Sequence, residues 1–155
     1  YPLAEQVARE WQRDAELRSV RATWQNAGPA ELRQGKNSWA FYFVSPSSKT
    51  GAKMLGYIVS VNEGRAEGVK AGEVTSNDQS LSFVDWKVDS PQALRVFLEN
   101  GGQDFLARHA QADAHAILKG TDSGQQPVWE VTLLDKQTKD TLSLQLDAAT
   151  GQVKR

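Results

Sequence analysis

The stretch "TLSLQLDAATGQVKR", Thr141 to Arg155, decides how this chain is read. Leu142, Leu144 and Leu146 alternate with Ser143 and Gln145, the period of a half-buried strand. The alternation runs into Asp147-Ala148-Ala149-Thr150-Gly151. An aspartate can accept bonds from backbone N–H groups just downstream, and glycine takes a positive φ without a steric cost. The stretch therefore predicts a strand, a tight turn and, at Val153, one last edge position of a sheet. Just upstream, Trp129, Val131 and Leu133 alternate on the other arm of a hairpin.

Before that hairpin lies a helical region. In "DSPQALRVFLENGG", Asp89 or Ser90 can cap the free N–H groups and Pro91 sits just inside. Leu94, Phe97 and Leu98 form the apolar stripe, and Gly101 supplies a left-handed stop. "QDFLARHAQA" predicts a second short helix that buries Phe105 and Leu106. "AHAILKG" predicts a short strand, and "TDSGQQP" a loop.

The N-terminal half has the same order. "YPLAEQVAREW" places Leu3, Val7 and Trp11 on one helical face, with Ala4 and Ala8 beside them. "LRSVRATW" alternates Val20, Ala22 and Trp24 with Arg21 and Thr23, a half-buried strand. "NAGPAELRQGKNS" predicts a loop with one short helical turn. "WAFYFVSP" is a β-prone run ending at Ser45-Pro46, and "SSKTGAK" is a hairpin loop. "MLGYIVSVNEG" returns with Tyr57, Val59 and Val61 on one face. Glu63-Gly64 and Glu67-Gly68 are punctuation, and "SLSFVDWKV" predicts a further strand. Trp39 and Trp129 each open a hairpin arm, and each return arm closes on Asn62 or Asp147 followed shortly by glycine. The chain thus reads as two diverged helix–strand–strand–strand copies, residues 1–75 and 76–155.

With Trp129, the alternation, the Asp-Ala-Ala-Thr-Gly-Gln-Val ending and the helical stretch from Asp89, the C-terminal half resembles the PepSY family. The first half matches only through the internal repeat. The resemblance implies an α+β fold of two tandem cystatin-like units, each a helix packed on an antiparallel meander. It implies a cell-envelope setting, secreted or lipoprotein-like, and a non-catalytic role in binding or restraining partner proteins, proteases included. It supplies no catalytic or ligand residues to carry over.

The bulk numbers fit a folded chain. Of 155 residues, 39% are hydrophobic and 24% charged, which excludes disorder by composition. One body of this size buries about 68–70% of its unfolded surface, whereas two separate halves would be marginal, so the halves are expected to pack together. With 18 basic and 19 acidic residues the net charge is −1, and no basic patch suited to nucleic acid or an anionic membrane stands out. No apolar run approaches the ~18 residues of a membrane span. The absence of cysteine excludes disulfides, thiolate metal sites and cysteine nucleophiles. The Tyr1-Pro2 opening is read as following a removed signal or anchor, which would be the chain's only membrane contact.

Catalytic chemistry has little to rest on. His109 and His115 are the two histidines. Asp113 lies four residues from His109 and would share its face on a continued helix, but a metal needs three or four ligands. Lys49-Thr50-Gly51 lacks the rest of a phosphate loop and joins two strands. No Gly-x-Ser-x-Gly elbow is present. No catalytic, metal or cofactor residue is therefore assigned. The five tryptophans are the feature most open to function. Trp11, Trp39 and Trp129 fit core faces. Trp24, Trp86 and Tyr42 are the candidate partner-binding residues, Tyr42 because it lies on the second face of its strand. The expected function is a non-enzymatic protein-binding or regulatory module. The rival is a carrier with an apolar pocket between helix and sheet or between the halves.

Overall fold

The computed structural model describes residues 1–75, 81, 86–120 and 126–154. Its elements run α1 (Pro2–Trp11), β1 (Glu16–Trp24), α2 (Pro29–Gln34), β2 (Trp39–Thr50), β3 (Lys53–Asn62) and β4 (Arg65–Val74), then α3 (Ser90–Phe97), α4 (Gln103–Arg108), β5 (Ala112–Lys119), β6 (Val128–Asp135), β7 (Thr141–Asp147) and β8 (Val153–Lys154). The fold is α+β, with one large antiparallel sheet and a few helices. The eight strands lie in the order β4-β3-β2-β1-β5-β6-β7-β8. The first strand of each half meets the other at the centre, with Val20 opposite Leu118 and Ala22 opposite Ala116. The halves are thus joined strand to strand, and the ladder is unbroken across them.

Alternation decides which face is buried. Val20, Ala22, Phe41, Phe43, Val59, Ala114, Ala116, Leu118, Trp129, Val131 and Leu133 all point to one side, where they meet Ala4, Ala8, Leu94, Phe97, Phe105 and Leu106 of the helices. Arg21, Thr23, Tyr42, Ile58, His115, Ile117 and Thr132 alternate with them and point to the outer face. On α1 the buried residues are Ala4 and Ala8, while Leu3 is 45% exposed. The expected stripe is therefore rotated: two alanines let the helix sit close to the sheet, with Val7 and Trp11 at its flank and Leu3 on the rim.

The C-terminal turn forms as expected. Asp147 Oδ1 accepts the N–H groups of Ala149 and Thr150, each at 2.9 Å, and the Gly151 N–H donates to the Asp147 carbonyl at 2.8 Å. Gly151 has φ +75°, and Val153 pairs with Leu146. Asp89 caps α3 by accepting the Gln92 N–H at 2.9 Å. Asn100 and Gly101 (φ +110°) break the helical geometry before α4 begins.

Three boundaries differ from the expectation. First, β2 does not end at Ser45-Pro46 but runs to Thr50, which pairs with Lys53 across a turn at Gly51 and Ala52. Its register shifts between Ser45 and Thr50, so Pro46 sits where the regular ladder is interrupted. Side chains replace the missing bonds: Asp14 accepts from the Ser45 hydroxyl (2.9 Å) and the Ser47 N–H (2.6 Å), and the Ser48 hydroxyl accepts the Leu55 N–H (2.8 Å).

Second, Glu67-Gly68 is no turn. It lies inside β4, a strand the sequence reading lacks. The turn is Glu63-Gly64 alone, with φ +47° and +77°, and Asn62 pairs with Arg65 across it. Gly68 stands in the strand because the Tyr57 ring lies over it, so that a Cβ there would be 2.1 Å from the phenol oxygen. Trp11 stacks on the same ring, with centroids 4.6 Å apart.

Third, the second helix stops at Arg108, because Ala112 already belongs to β5. Most of the strand expected over Ser80–Val88 lies outside the described residues. Trp86–Val88 are not in a strand, although the N–H groups of Lys87 and Val88 both donate to the Ala148 carbonyl (3.0 and 2.8 Å).

Candidate functional site

Both histidines have polar partners. His115 is on the outer face of β5, and its Nδ1 lies 3.2 Å from the Thr23 hydroxyl on β1. A hydroxyl beside an imidazole supplies both members of a nucleophile–base pair, though not the third group that orients the base. Here, however, both groups sit on the surface of adjacent strands, away from any sharp turn. His109 does not share a helical face with Asp113, because the helix has ended. Asp113 lies on β5, where it accepts the Asn26 N–H at 3.0 Å and pairs with Lys136 at 3.0 Å. The Asn26 N–H, followed by Lys136, holds its carboxyl below the ordinary carboxylate range. His109 turns instead to Asp135 on β6. Among the described residues, no group of three or more His, Cys, Asp and Glu side chains converges as a metal ion would need.

The three candidate partner-binding residues fall on two faces. Trp24 is buried, 5% exposed, on the helix-covered side, and its indole N–H donates to the Lys36 carbonyl at 3.2 Å. It meets Trp39 edge to face at 5.7 Å. Trp39 meets Trp129 at 5.9 Å, and Trp129 meets Trp86 at 6.2 Å. Trp86 is half-buried, and its indole N–H shares the Val88 carbonyl with that of Trp129, at 2.8 and 2.9 Å. Trp24 and Trp86 are therefore the outer tryptophans of one aromatic row, which Tyr1 extends beyond Trp86 at 6.2 Å and in which every indole N–H has an acceptor. Trp24 offers no surface to a partner in this conformation.

Tyr42 is separate from that row. It lies half-buried on the outer face of β2, directly opposite Ile58 on β3, and Ile58 is directly opposite Val69 on β4. Ile58 is 40% and Val69 67% exposed, and with Leu3 they are the exposed large hydrophobic side chains among the described residues. Tyr42, Ile58 and Val69 thus form an apolar stripe across three strands that ends at the sheet edge. Val69 escaped the sequence reading because β4 itself did. The signal was "NEGR", a two-residue turn flanked by partners in register.

Beside this stripe, Ser38, Ser60, Asn62, Glu63, Arg65 and Glu67 line an open polar depression of about 550 Å³. A smaller one of about 240 Å³ lies between Trp11, Gln12, Leu55, Gly56 and Gly72. Neither is an enclosed apolar pocket between helix and sheet. Lys49, Thr50 and Gly51 sit at the β2–β3 hairpin tip, between two strands. No helix among the described residues is long and apolar enough to cross a membrane.

This geometry defines an α+β protein whose helices cover one face of a continuous antiparallel sheet. Comparison with protein-family models, curated proteins and solved structures returns no match.

Proposed function

We propose that this chain is a non-catalytic, extracytoplasmic module, built of two PepSY-like units, that binds a polypeptide partner and restrains its activity. The observation that carries the binding reading is the apolar stripe Tyr42–Ile58–Val69 on the outer face of the sheet, where Ile58 is 40% and Val69 67% exposed. Exposed apolar side chains that adjoin one another across neighbouring strands form a contiguous patch, the kind of surface that marks a contact site. The face, rather than the edge, is the contact surface. β8 has only two residues, and β4 carries a register shift and the charged Arg65, Glu67 and Glu73, the devices that discourage strand addition.

Register supports the two-unit reading. Trp39 stands opposite Val61 and Trp129 opposite Leu146, so Asn62 and Asp147 hold equivalent places at the close of the two return arms.

The test uses the full chain and its Ile58→Lys/Val69→Lys variant, both checked for an unchanged fold by circular dichroism. Each is incubated with envelope extract from the source cell and analysed by native mass spectrometry, and captured proteases are assayed. A protein retained by the parent chain and lost by the variant is the expected result. Equal retention by both would remove the stripe from the interface, and a bound small molecule in place of a protein would favour the carrier.

A further inference from the structure

His109 closes α4, its N–H donating to the Phe105 carbonyl at 2.9 Å and its ring stacked on the Phe105 ring at 4.3 Å. Its Nδ1 lies 2.9 Å from Asp135 Oδ2, and its Nε2 lies 3.7 Å from Asp140 Oδ2. Asp135 ends β6 and Asp140 immediately precedes β7, so one ring spans the two feet of the hairpin connection. The connection is also tied from within. Asp135 Oδ1 accepts the N–H groups of Gln137 (2.7 Å) and Thr138 (3.2 Å), and the Lys139 N–H donates to the Asp135 carbonyl at 2.9 Å. Lys139 adopts φ +66°, a conformation the rest of the turn must hold in place.

A neutral imidazole donates from one nitrogen only, whereas an imidazolium donates from both. With a carboxylate at each nitrogen, the neutral ring must turn a lone pair toward one of them. The charged groups set against the ring are Asp135 and Asp140 of the hairpin. Nearby, Lys136 is engaged by Asp113, and the Arg108 Nε donates to the Asp104 carbonyl.

We propose that His109 is a proton-operated clasp on the β6–β7 connection: the imidazolium holds both carboxylates, and loss of one proton releases the exposed Asp140 while buried Asp135 stays bound. On the acid side, the Gln137 and Thr138 N–H groups, with His109, hold the Asp135 carboxyl below the ordinary range. The clasp is therefore closed while the ring is doubly protonated and both carboxylates are ionised, and opens as rising pH removes one ring proton. Opening frees the Asp140 end of the turn from His109, while Asp135 keeps the other end tied to it, and loosens residues 136–140. This inference does not depend on the proposed function.

The experiment is an NMR titration of the full chain over about pH 5–9, following the His109 ring protons, the Asp140 carboxyl carbon and amide exchange at Lys139. The Asp140 carboxyl and the His109 ring are expected to change together. After correction for intrinsic exchange, the Lys139 amide should exchange roughly two- to fivefold faster once the proton is lost, the range for a partly exposed ion pair. Asp140→Asn should abolish that pH dependence while leaving the fold unchanged. An Asp140 carboxyl that stays flat through the titration of His109, or Lys139 exchange whose pH dependence survives in Asp140→Asn, would overturn the clasp.

Discussion

At the scale of single residues, Gly68 explains most of what the sequence concealed. Glycine in a strand reads as a break because it weakens pairing and packs nothing. Here its missing side chain is the space that Tyr57 fills, and that ring is held by Trp11. No local pattern announces a contact set by another strand and a helix. Gly68→Ala should destabilise the protein by about 1–3 kcal/mol through overpacking. In a Tyr57→Ala background the same substitution should cost far less, so a double-mutant cycle from denaturant unfolding should show clear coupling. Asp147, by contrast, was legible, because its bonds reach only two and three residues along the chain. Burial raises its carboxyl, but the Ala149 and Thr150 N–H groups and Lys154 outweigh this and leave it below its ordinary value. At Asp14, bonds from Ser47 and Ser45 overcome burial with the same result, and Asp135 is also lowered. A carboxyl lowered in the folded state contributes stability that is complete above the unfolded value near 3.9 and is lost as pH falls through the folded value. The melting temperature should therefore hold down to about pH 5 and fall steeply below about pH 4. Asp147→Asn should flatten that acid limb, and differential scanning calorimetry across the range checks both.

At the scale of elements, the helices and the C-terminal hairpin were legible because their signals are local. Asp89, Pro91 and the Leu94–Phe97–Leu98 stripe state the start and the buried face of α3 within ten residues of one another. Asp89→Ala removes the side-chain acceptor of the Gln92 N–H. It should cost about 1 kcal/mol, and a matching drop in urea midpoint with an unchanged m-value would establish it. The β2–β3 hairpin was read too short because its far end is built from Asp14, a residue over thirty positions from Ser47. Tyr42 was rightly placed on a second face. Without β4, the stripe it begins could not be followed to Val69.

At the scale of the whole molecule, two similar halves were expected to pack together, and the orders β1-β2-β3 and β5-β6-β7 were readable, whereas β4 was not. Nor was the seam. Ala22 opposite Ala116 and Val20 opposite Leu118 are ordinary inward positions of strands remote in sequence. The aromatic row crosses the same seam, with Trp39 from one half against Trp129 from the other. A molecule joined in this way should unfold once. Tryptophan fluorescence and far-ultraviolet circular dichroism should give coincident denaturant transitions, and two resolved transitions would mean that residues 1–75 and 76–155 fold separately.

The seam also sets an order of events as the chain is made. β1 can find β2, β3 and β4 soon after they emerge, but its other neighbour, β5, lies past residue 111. At 5–20 residues per second, roughly 5–20 s separate the end of β1 from the end of β5. For that interval the nascent sheet has a bare inner margin, with Trp24 and Trp39 uncovered. Until the trailing half-chain arrives, the unpaired margin of β1 is the kind of strand edge that can pair with another chain. The seam that makes the finished molecule one body is thus also its exposed edge while it is incomplete.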